Sequence, residues 1–114
     1  MTKLEITLQS IEDLKLTDIY IYNMQERSPF FDYVILATAS NKRQLKACAK
    51  GIKDDIAQHH QYTVRSEGDD EADWILVDVG DVVVNLFTES ERAFYHLEKL
   101  WPDVPCERRD NGSV

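Results

Sequence analysis

The sequence of 114 residues predicts one α+β domain in which helices pack on a mixed β-sheet of about five strands. Three observations favour this class. Residues 32–38 and 74–87 are rich in β-branched and aromatic side chains, which is typical of strands. Residues 4–15 and 41–58 repeat apolar side chains at the spacing of amphipathic helices. Ser40 and Asn41, both good N-cap residues, join the strand at 32–38 to the helix at 41–58, and this succession indicates helices packed on a sheet.

The first half of the chain is predicted to form two helices and two strands. After the helix at 4–15, residues 18–23 predict a strand and residues 25–29 a turn. Residues 32–38 are a continuous apolar run, which predicts a central strand buried on both faces. The helix at 41–58 has an apolar stripe that should face the sheet. The stripe consists of Leu45, Cys48, Ala49, Ile52 and Ile56.

Residues 73–87 predict the β-hairpin around which the chain is organised. Gly80 supplies the free φ angle that a tight turn after Val79 requires. Alternation places Trp74, Leu76 and Asp78 on one face and the residues between them on the other. A large aromatic side chain that shares a face with a carboxylate is typical of a protein-binding surface, although it also fits a core with an acid at the strand end.

Around the hairpin, residues 62–66 predict a short strand and residues 67–73 an acidic loop. Thr88 and Glu91 have the spacing of a capping box, which predicts a helix from residue 88 that Pro102 ends. Its apolar face consists of Ala93, Phe94, Leu97, Leu100 and Trp101. Residues 1–102 are thus expected to form the domain, and residues 103–114 a flexible tail.

The net charge of −8 constrains the kind of partner. An acidic surface repels phosphate backbones, so direct DNA binding is not expected and a basic protein is the natural partner. Cys48 and Cys106 form no CxxC pair and are interpreted as free thiols. The amino-terminal residues do not resemble a signal peptide, and no run reaches the ~18 apolar residues of a membrane span, so we expect a cytoplasmic protein that does not enter membranes.

Catalytic and metal sites are not expected. Asp78 and Asp81 lie three residues apart across a turn, whereas metal-dependent nucleotidyl transfer uses two acids two positions apart on one strand. Turn chemistry or a partner contact explains them better. His59 and His60 diverge by about 100° on a helix end, which is unsuited to shared ligation. We therefore expect no catalytic residue, no metal and no cofactor.

Two features indicate contacts with a macromolecule. The helix at 41–58 is basic within an acidic protein, and Arg43 lies near its amino terminus, where the helix dipole disfavours cations. A guanidinium group binds carboxylate or phosphate with two hydrogen bonds, so Arg43 is a candidate contact, although a solvated helix face is equally consistent. Trp74 follows the acidic loop and is a candidate anchor of an interface, with a place in the core as the alternative.

Three stretches of the chain together resemble one known family. They are Asp32-Tyr-Val-Ile-Leu-Ala-Thr with the Ser-Asn-Lys-Arg that follows, Ala-Asp-Trp-Ile-Leu-Val-Asp-Val-Gly-Asp with the valines after it, and Arg92-Ala-Phe-Tyr-His-Leu-Glu-Lys-Leu-Trp101. The likeness runs from about residue 11 to residue 101, in the family's order and spacing. On these motifs the sequence is similar to the ribosomal silencing factors, also called RsfS or Iojap.

The resemblance implies a function that composition alone does not give. Family members bind the large ribosomal subunit through the ribosomal protein uL-fourteen, block subunit joining and repress translation when nutrients are short. Their fold is similar to a nucleotidyltransferase without its catalytic residues, and they commonly form homodimers. The resemblance implies seven partner-binding positions. These are Trp74, Asp78, Asp81, Arg43, Asp32, Tyr95 and Glu98.

The sequence departs from the family pattern at two places. Thr38-Ala-Ser-Asn41 stands where the family often has Thr-Gly-Thr-Ser, and Asn85 stands where it often has His. Two other functions stay open at this point. One is a nucleotidyltransferase that uses Asp78 and Asp81. The other is a factor that assists assembly of the large subunit without repressing translation, which would use the same docking surface.

Overall fold

A single sheet organises the molecule. The structure, a computed structural model, describes residues 1–69, 71–94 and 97–109, without the side chains of residues 93, 94, 97 and 98. Within these residues the sheet has six strands in the order β3-β4-β5-β2-β1-β6. The strands are β1 Thr17–Asn23, β2 Tyr33–Ala39, β3 Arg65–Glu67, β4 Trp74–Asp78, β5 Val82–Thr88 and β6 Cys106–Arg109. The helices are α1 Lys3–Asp13, α2 Lys42–His59 and α3 Glu89–Phe94, followed by a 3₁₀ turn at Leu97–Leu100.

The structure confirms the predicted α+β class. β2 and β5 pair in parallel at the centre, and the other neighbouring strands pair antiparallel. Every residue of β2 from Val34 to Ala39 is buried, as its apolar run predicted. The predicted hairpin is formed by β4 and β5, and Gly80 in its turn has a φ of +95°.

One face of the sheet, the helix face, is covered by α1 and α2. Its inward side chains come from alternate positions of the strands, such as Ile35 and Val77, and they pack against Ile52 of α2. Asn41 caps α2 by accepting a hydrogen bond from the Gln44 backbone N–H, as predicted. These aliphatic contacts form the larger of the two hydrophobic clusters.

The opposite face, the aromatic face, carries the second cluster. Arg92 of α3, Trp101 and Val104 lie on it and cover the part formed by β1 and β2. There Trp101 packs edge-on against Tyr22, with ring centroids 5.2 Å apart and planes at 60°. Helices therefore lie on both sides of the sheet, but they cover the two faces unequally.

The expectation of a flexible tail from residue 103 is wrong for the residues that the structure describes. Val104 is only 6% exposed, and β6 pairs antiparallel with β1. The four residues of β6 are all exposed and show no apolar alternation, so no local pattern predicts a strand here. Backbone pairing and the Arg109–Glu12 ion pair of 3.0 Å hold it in place instead. Residues 110–114 lie outside the described residues.

Two boundaries also differ from the prediction. β3 occupies residues 65–67 instead of 62–66. Thr88 ends β5 instead of starting the last helix, and its hydroxyl donates to Asp73 Oδ1 at 3.0 Å. α3 then ends at Phe94, so Trp101 reaches the aromatic face from a loop and not from a helix.

Candidate docking surface

The aromatic face has a covered half and an open half. The covered half contains Tyr22, Leu36 and Val104, all buried. In the open half, which we define by β3, β4 and the start of β5, the described side chains are partly or fully exposed. Because directly paired residues project on the same side of a sheet, the register places six residues here. They are Trp74, Leu76, Asp78, Val83, Arg65 and Glu67.

Trp74 is fixed within this half. Its indole ring stacks on Phe87, with centroids 4.9 Å apart and planes inclined by 39°. Its Nε1–H donates to Asn85 Oδ1 at 3.1 Å. Phe87 is fully buried and Asn85 is 7% exposed, so both supports belong to the interior while Trp74 is only half-buried. A tryptophan that packs one ring face against the protein and leaves the other accessible is well suited to anchor an interface.

Asp78 and Asp81 shape the hairpin turn. Asp78 Oδ1 accepts a hydrogen bond of 2.8 Å from the Gly80 N–H. Asp81 Oδ1 lies 3.4 Å from Lys3 Nζ, which also stands 4.3 Å from the centroid of the Tyr62 ring. Both carboxylates remain partly exposed, so turn chemistry and a partner contact are compatible. Asp78 lies in the open half, about 14 Å from Trp74 along the strand.

Asp32 and Arg43 lie at opposite ends of the sheet. The backbone N–H of Asp32 donates to the Asp81 carbonyl at 2.7 Å, which places Asp32 beside the turn. Arg43 is exposed at the start of α2. Its neighbour Lys42 lies 3.6 Å from Glu71 in the loop that leads to Trp74. Arg43 therefore lies at the Trp74 end of the sheet, on the side of the helix face.

The remaining two predicted positions cannot be placed in the same way. Tyr95 lies outside the described residues, and of Glu98 only the backbone, within the 3₁₀ turn, is described. The structure thus brings Trp74 and Asp78 onto one surface, with Asp81 and Asp32 at one end and Arg43 at the other. These positions remain predictions as partner contacts.

Sequence reasoning missed the residues that support Trp74. Asn85 was noted only as a departure from the family pattern, yet it accepts the indole hydrogen bond. Phe87 has the same strand parity as Val83 and Asn85, so alternation along β5 could have identified it. Leu76 adds apolar surface beside Trp74, and Val83 adds it beside Asp78, with which it pairs. Their half-burial is the signal that only a structure supplies.

The described part of the chain has other reactive groups, among them a buried thiol and the charged side chains of α2. No group of three or more His, Cys, Asp or Glu residues there could hold a metal ion. Burial raises the pKa of the Cys48 thiol to about 12, so the thiol stays protonated at neutral pH. On α2, Lys50 contacts Asp54 at 2.7 Å, as expected for part of a solvated helix face.

The fold and the open half define a single-sheet α+β protein with a preorganised aromatic surface, a class suited to binding another macromolecule. Comparison with known proteins then identifies the family. The chain belongs to the RsfS family, because the model of that family, described as "Ribosomal silencing factor during starvation", matches residues 1–113. The resemblance inferred from the motifs is confirmed, and membership supports a ribosome-associated role.

Individual relatives agree with this assignment. The chain is 38% identical over 109 residues to the ribosomal silencing factor RsfS of Bacillus subtilis, covering 96% of this chain and 92% of the relative. It is 32% identical to the mouse protein named mitochondrial assembly of ribosomal large subunit protein 1, covering 74% of this chain and 38% of the relative.

A solved structure shares the fold. The crystal structure of a Bacillus halodurans protein matches with a TM-score of 0.79 and 32% identity, covering 91% of this chain and 94% of the other. Among the helices described here, none is long and apolar enough to cross a membrane.

Proposed function

We propose that this protein is a non-enzymatic repressor of translation that binds the large ribosomal subunit and prevents the small subunit from joining. The contact is made with the ribosomal protein uL-fourteen, through the open half of the aromatic face. In this proposal the protein acts in the cytoplasm, without a cofactor, and its activity is steric exclusion. A homodimer is a further part of the proposal, suggested by the family resemblance.

The observation that carries the proposal is the fixed, half-exposed Trp74 on an otherwise buried aromatic cluster. Interfaces concentrate their binding free energy in such aromatic anchors, surrounded by side chains that exclude water. Leu76 is placed to exclude water around it, and Asp78, beside Val83, to meet a basic group. The acidic net charge of −8 favours encounter with a basic ribosomal protein.

The other predicted positions have supporting roles in the proposal. Asp81 and Asp32 extend the acidic rim beyond the hairpin turn, and Arg43 meets an acidic or phosphate group at the opposite end. Tyr95 and Glu98 are proposed contacts on the resemblance alone. Rim charges mainly change association rates and salt dependence, so each is expected to contribute less than Trp74.

The testing experiment measures binding of the protein to isolated large subunits, followed by addition of small subunits. Replacement of Trp74 by Ala should weaken binding by ~2 kcal/mol or more, about thirtyfold, because an anchor is truncated. Loss of joined particles in the presence of wild-type protein should disappear with the variant. Circular dichroism establishes that the variant is folded.

His59→Ala is the matched control, since this exposed ring lies at the end of α2 on the other side of the sheet. It should bind like the wild-type protein. Equal affinities for the wild-type protein and Trp74→Ala would remove Trp74 from the interface. Binding of wild-type protein that leaves subunit joining intact would exclude repression by steric exclusion.

A second function, assistance to large-subunit assembly, is favoured by one finding. The mouse relative is named for mitochondrial assembly of the ribosomal large subunit. This function would use the same surface, so affinity alone does not separate the two. Deletion of the gene separates them, because accumulation of immature large subunits supports assembly, whereas unregulated subunit joining in starved cells supports repression.

A further inference from the structure

One row of side chains crosses the aromatic face beneath the Trp74 anchor. Trp74 of β4 pairs with Phe87 of β5, and Phe87 pairs with Thr38 of β2. Side chains at directly paired positions project on the same face and touch their neighbours. The row therefore begins in the open half, at Trp74, and ends in the covered half, at Thr38.

Arg92 of α3 lies over the buried end of this row. Its guanidinium carbon is 5.7 Å from the Phe87 ring centroid and 5.1 Å from that of Tyr20. Its Nη1 donates to Thr38 Oγ1 at 3.2 Å. The residue is 9% exposed. A guanidinium group within about 6 Å of an aromatic centroid is attracted to the ring face, and the attraction grows when water is excluded.

Phe87 thus has a restraint on each side, the Trp74 indole at 4.9 Å and the Arg92 guanidinium at 5.7 Å. The Phe87 ring is the surface on which Trp74 stacks, so a shift of Phe87 would move the indole. We propose that Arg92 is a positioning residue for the Trp74 anchor, acting through Phe87. Through Arg92, α3 of the covered half influences the orientation of Trp74 in the open half.

The inference rests on the docking role proposed for Trp74 and gives a role to Arg92, which begins the last family motif but is not among the seven implied partner-binding positions. Affinity depends on how far an anchor is already ordered before binding, since ordering it on binding costs free energy. Without Arg92, the Phe87 ring gains freedom, Trp74 samples more orientations, and the partner must select one of them. Arg92 therefore contributes to affinity from within the fold.

The test compares Arg92→Met with Arg92→Lys. Methionine fills similar volume without charge or donors, whereas lysine retains a cation that can lie over the rings. Both variants are made with Trp101→Phe, because the chain has two tryptophans and Trp74 is then the only fluorophore of its kind. Acrylamide quenching and anisotropy decay report the accessibility and mobility of Trp74, and binding to large subunits reports affinity.

Arg92→Met should increase quenching and the amplitude of fast indole motion, and should weaken subunit binding about tenfold, a size typical of coupling between contacting residues. Arg92→Lys should recover part of both effects. In a double-mutant cycle, Arg92→Met should add little to the loss already caused by Trp74→Ala. Lys99→Met is the matched control. Lys99 is an exposed cation in the 3₁₀ turn that follows α3, so this substitution should change neither the mobility of Trp74 nor subunit binding.

Thr38→Val keeps the inference testable should Arg92→Met not fold, because it removes only the hydroxyl that holds the guanidinium group. It should produce a smaller change of the same kind. Unchanged Trp74 quenching in folded Arg92 variants would overturn the inference, and so would weaker binding with unchanged indole motion. If wild-type protein does not bind large subunits, the proposed function fails, and the fluorescence measurements still decide whether Arg92 positions Trp74.

Discussion

The two faces of the sheet differ in the side chains that form them and in how far they are covered. The helix face is aliphatic, and it is covered by α1 and α2 along its length. The aromatic face combines rings with polar groups, among them Asn85, Thr38 and Arg92, and only half of it is covered. The hydrophobic effect that buries aliphatic side chains has no preferred direction, whereas aromatic rings and hydrogen bonds have preferred geometries.

This difference separates stability from recognition. Burial on the helix face stabilises the fold through the area removed from water, about 25 cal/mol per Å². On the aromatic face, Asn85 and Phe87 fix the direction of a ring whose other side is accessible. Substitutions on the helix face should therefore lower stability with little effect on binding, and substitutions around Trp74 should lower affinity with a smaller loss of stability.

The largest expected loss of stability is on the helix face. Ile52 of α2 is fully buried, and Ile52→Ala should lower the free energy of unfolding by about 2–5 kcal/mol, because a cavity remains where the side chain was. Urea unfolding followed by circular dichroism measures the change. Gln58→Ala, exposed on the same helix, should be nearly neutral. A large loss of subunit affinity in fully folded Ile52→Ala would contradict the separation of the two faces.

An intermediate effect is expected from Asn85→Ala. It removes the acceptor of the Trp74 indole hydrogen bond, so stability should fall by about 1 kcal/mol and subunit affinity about fivefold. Asn85→His is the matched variant, since an imidazole nitrogen can accept the same bond. Isothermal titration against large subunits checks the order wild type, His, Ala. Equal affinity for all three would show that the hydrogen bond does not position the anchor.

The smallest effect should come from the start of α1. Thr2 Oγ1 accepts from the Glu5 N–H at 3.1 Å, and the Glu5 carboxylate accepts from the Thr2 N–H at 2.9 Å. Thr2→Ala should destabilise the protein by about 1 kcal/mol at neutral pH, as measured by thermal unfolding. Binding should not change, because α1 covers the helix face.

This capping box also gives a signed pH dependence. The hydrogen bonds from Thr2 hold the pKa of the Glu5 carboxyl below its ordinary value. A lowered pKa means that the box stabilises the fold above the unfolded-state pKa and loses this effect as pH falls through the folded-state pKa. The difference in stability between wild type and Thr2→Ala should therefore shrink as the pH is lowered below about 4.5. A difference that is constant with pH would show that Glu5 does not take part.

Local patterns predicted most of the fold because they act through near neighbours. Alternation at Trp74 and Ile75 assigned the two faces correctly, and the apolar stripe of α2 and its Asn41 cap are found as expected. The parallel pairing of β2 with β5 and the position of β6 depend on contacts between distant parts of the chain, which no local pattern encodes. The short strand β6 has neither alternating nor apolar side chains that would identify it as a strand.

The sequence predicts the residues at the centre of the candidate surface. It does not predict the residues that hold them in place. Trp74 and Asp78 share a face by parity alone. That Lys3 lies beside Asp81, or Arg92 above Phe87, follows only from the packing of helices on strands far away in sequence. Those contacts decide which side chains are fixed, and therefore which of them are ready to bind.

The pairing of β6 with β1 has a consequence for how the nascent chain matures. β1 leaves the ribosome early, and the strand that covers its outer edge is synthesised on the order of 10 seconds later at typical elongation rates. During this interval the edge of β1 presents unpaired backbone groups to other chains. A chain interrupted before residue 106 keeps that edge, so we expect truncated products to aggregate more readily than the full-length protein.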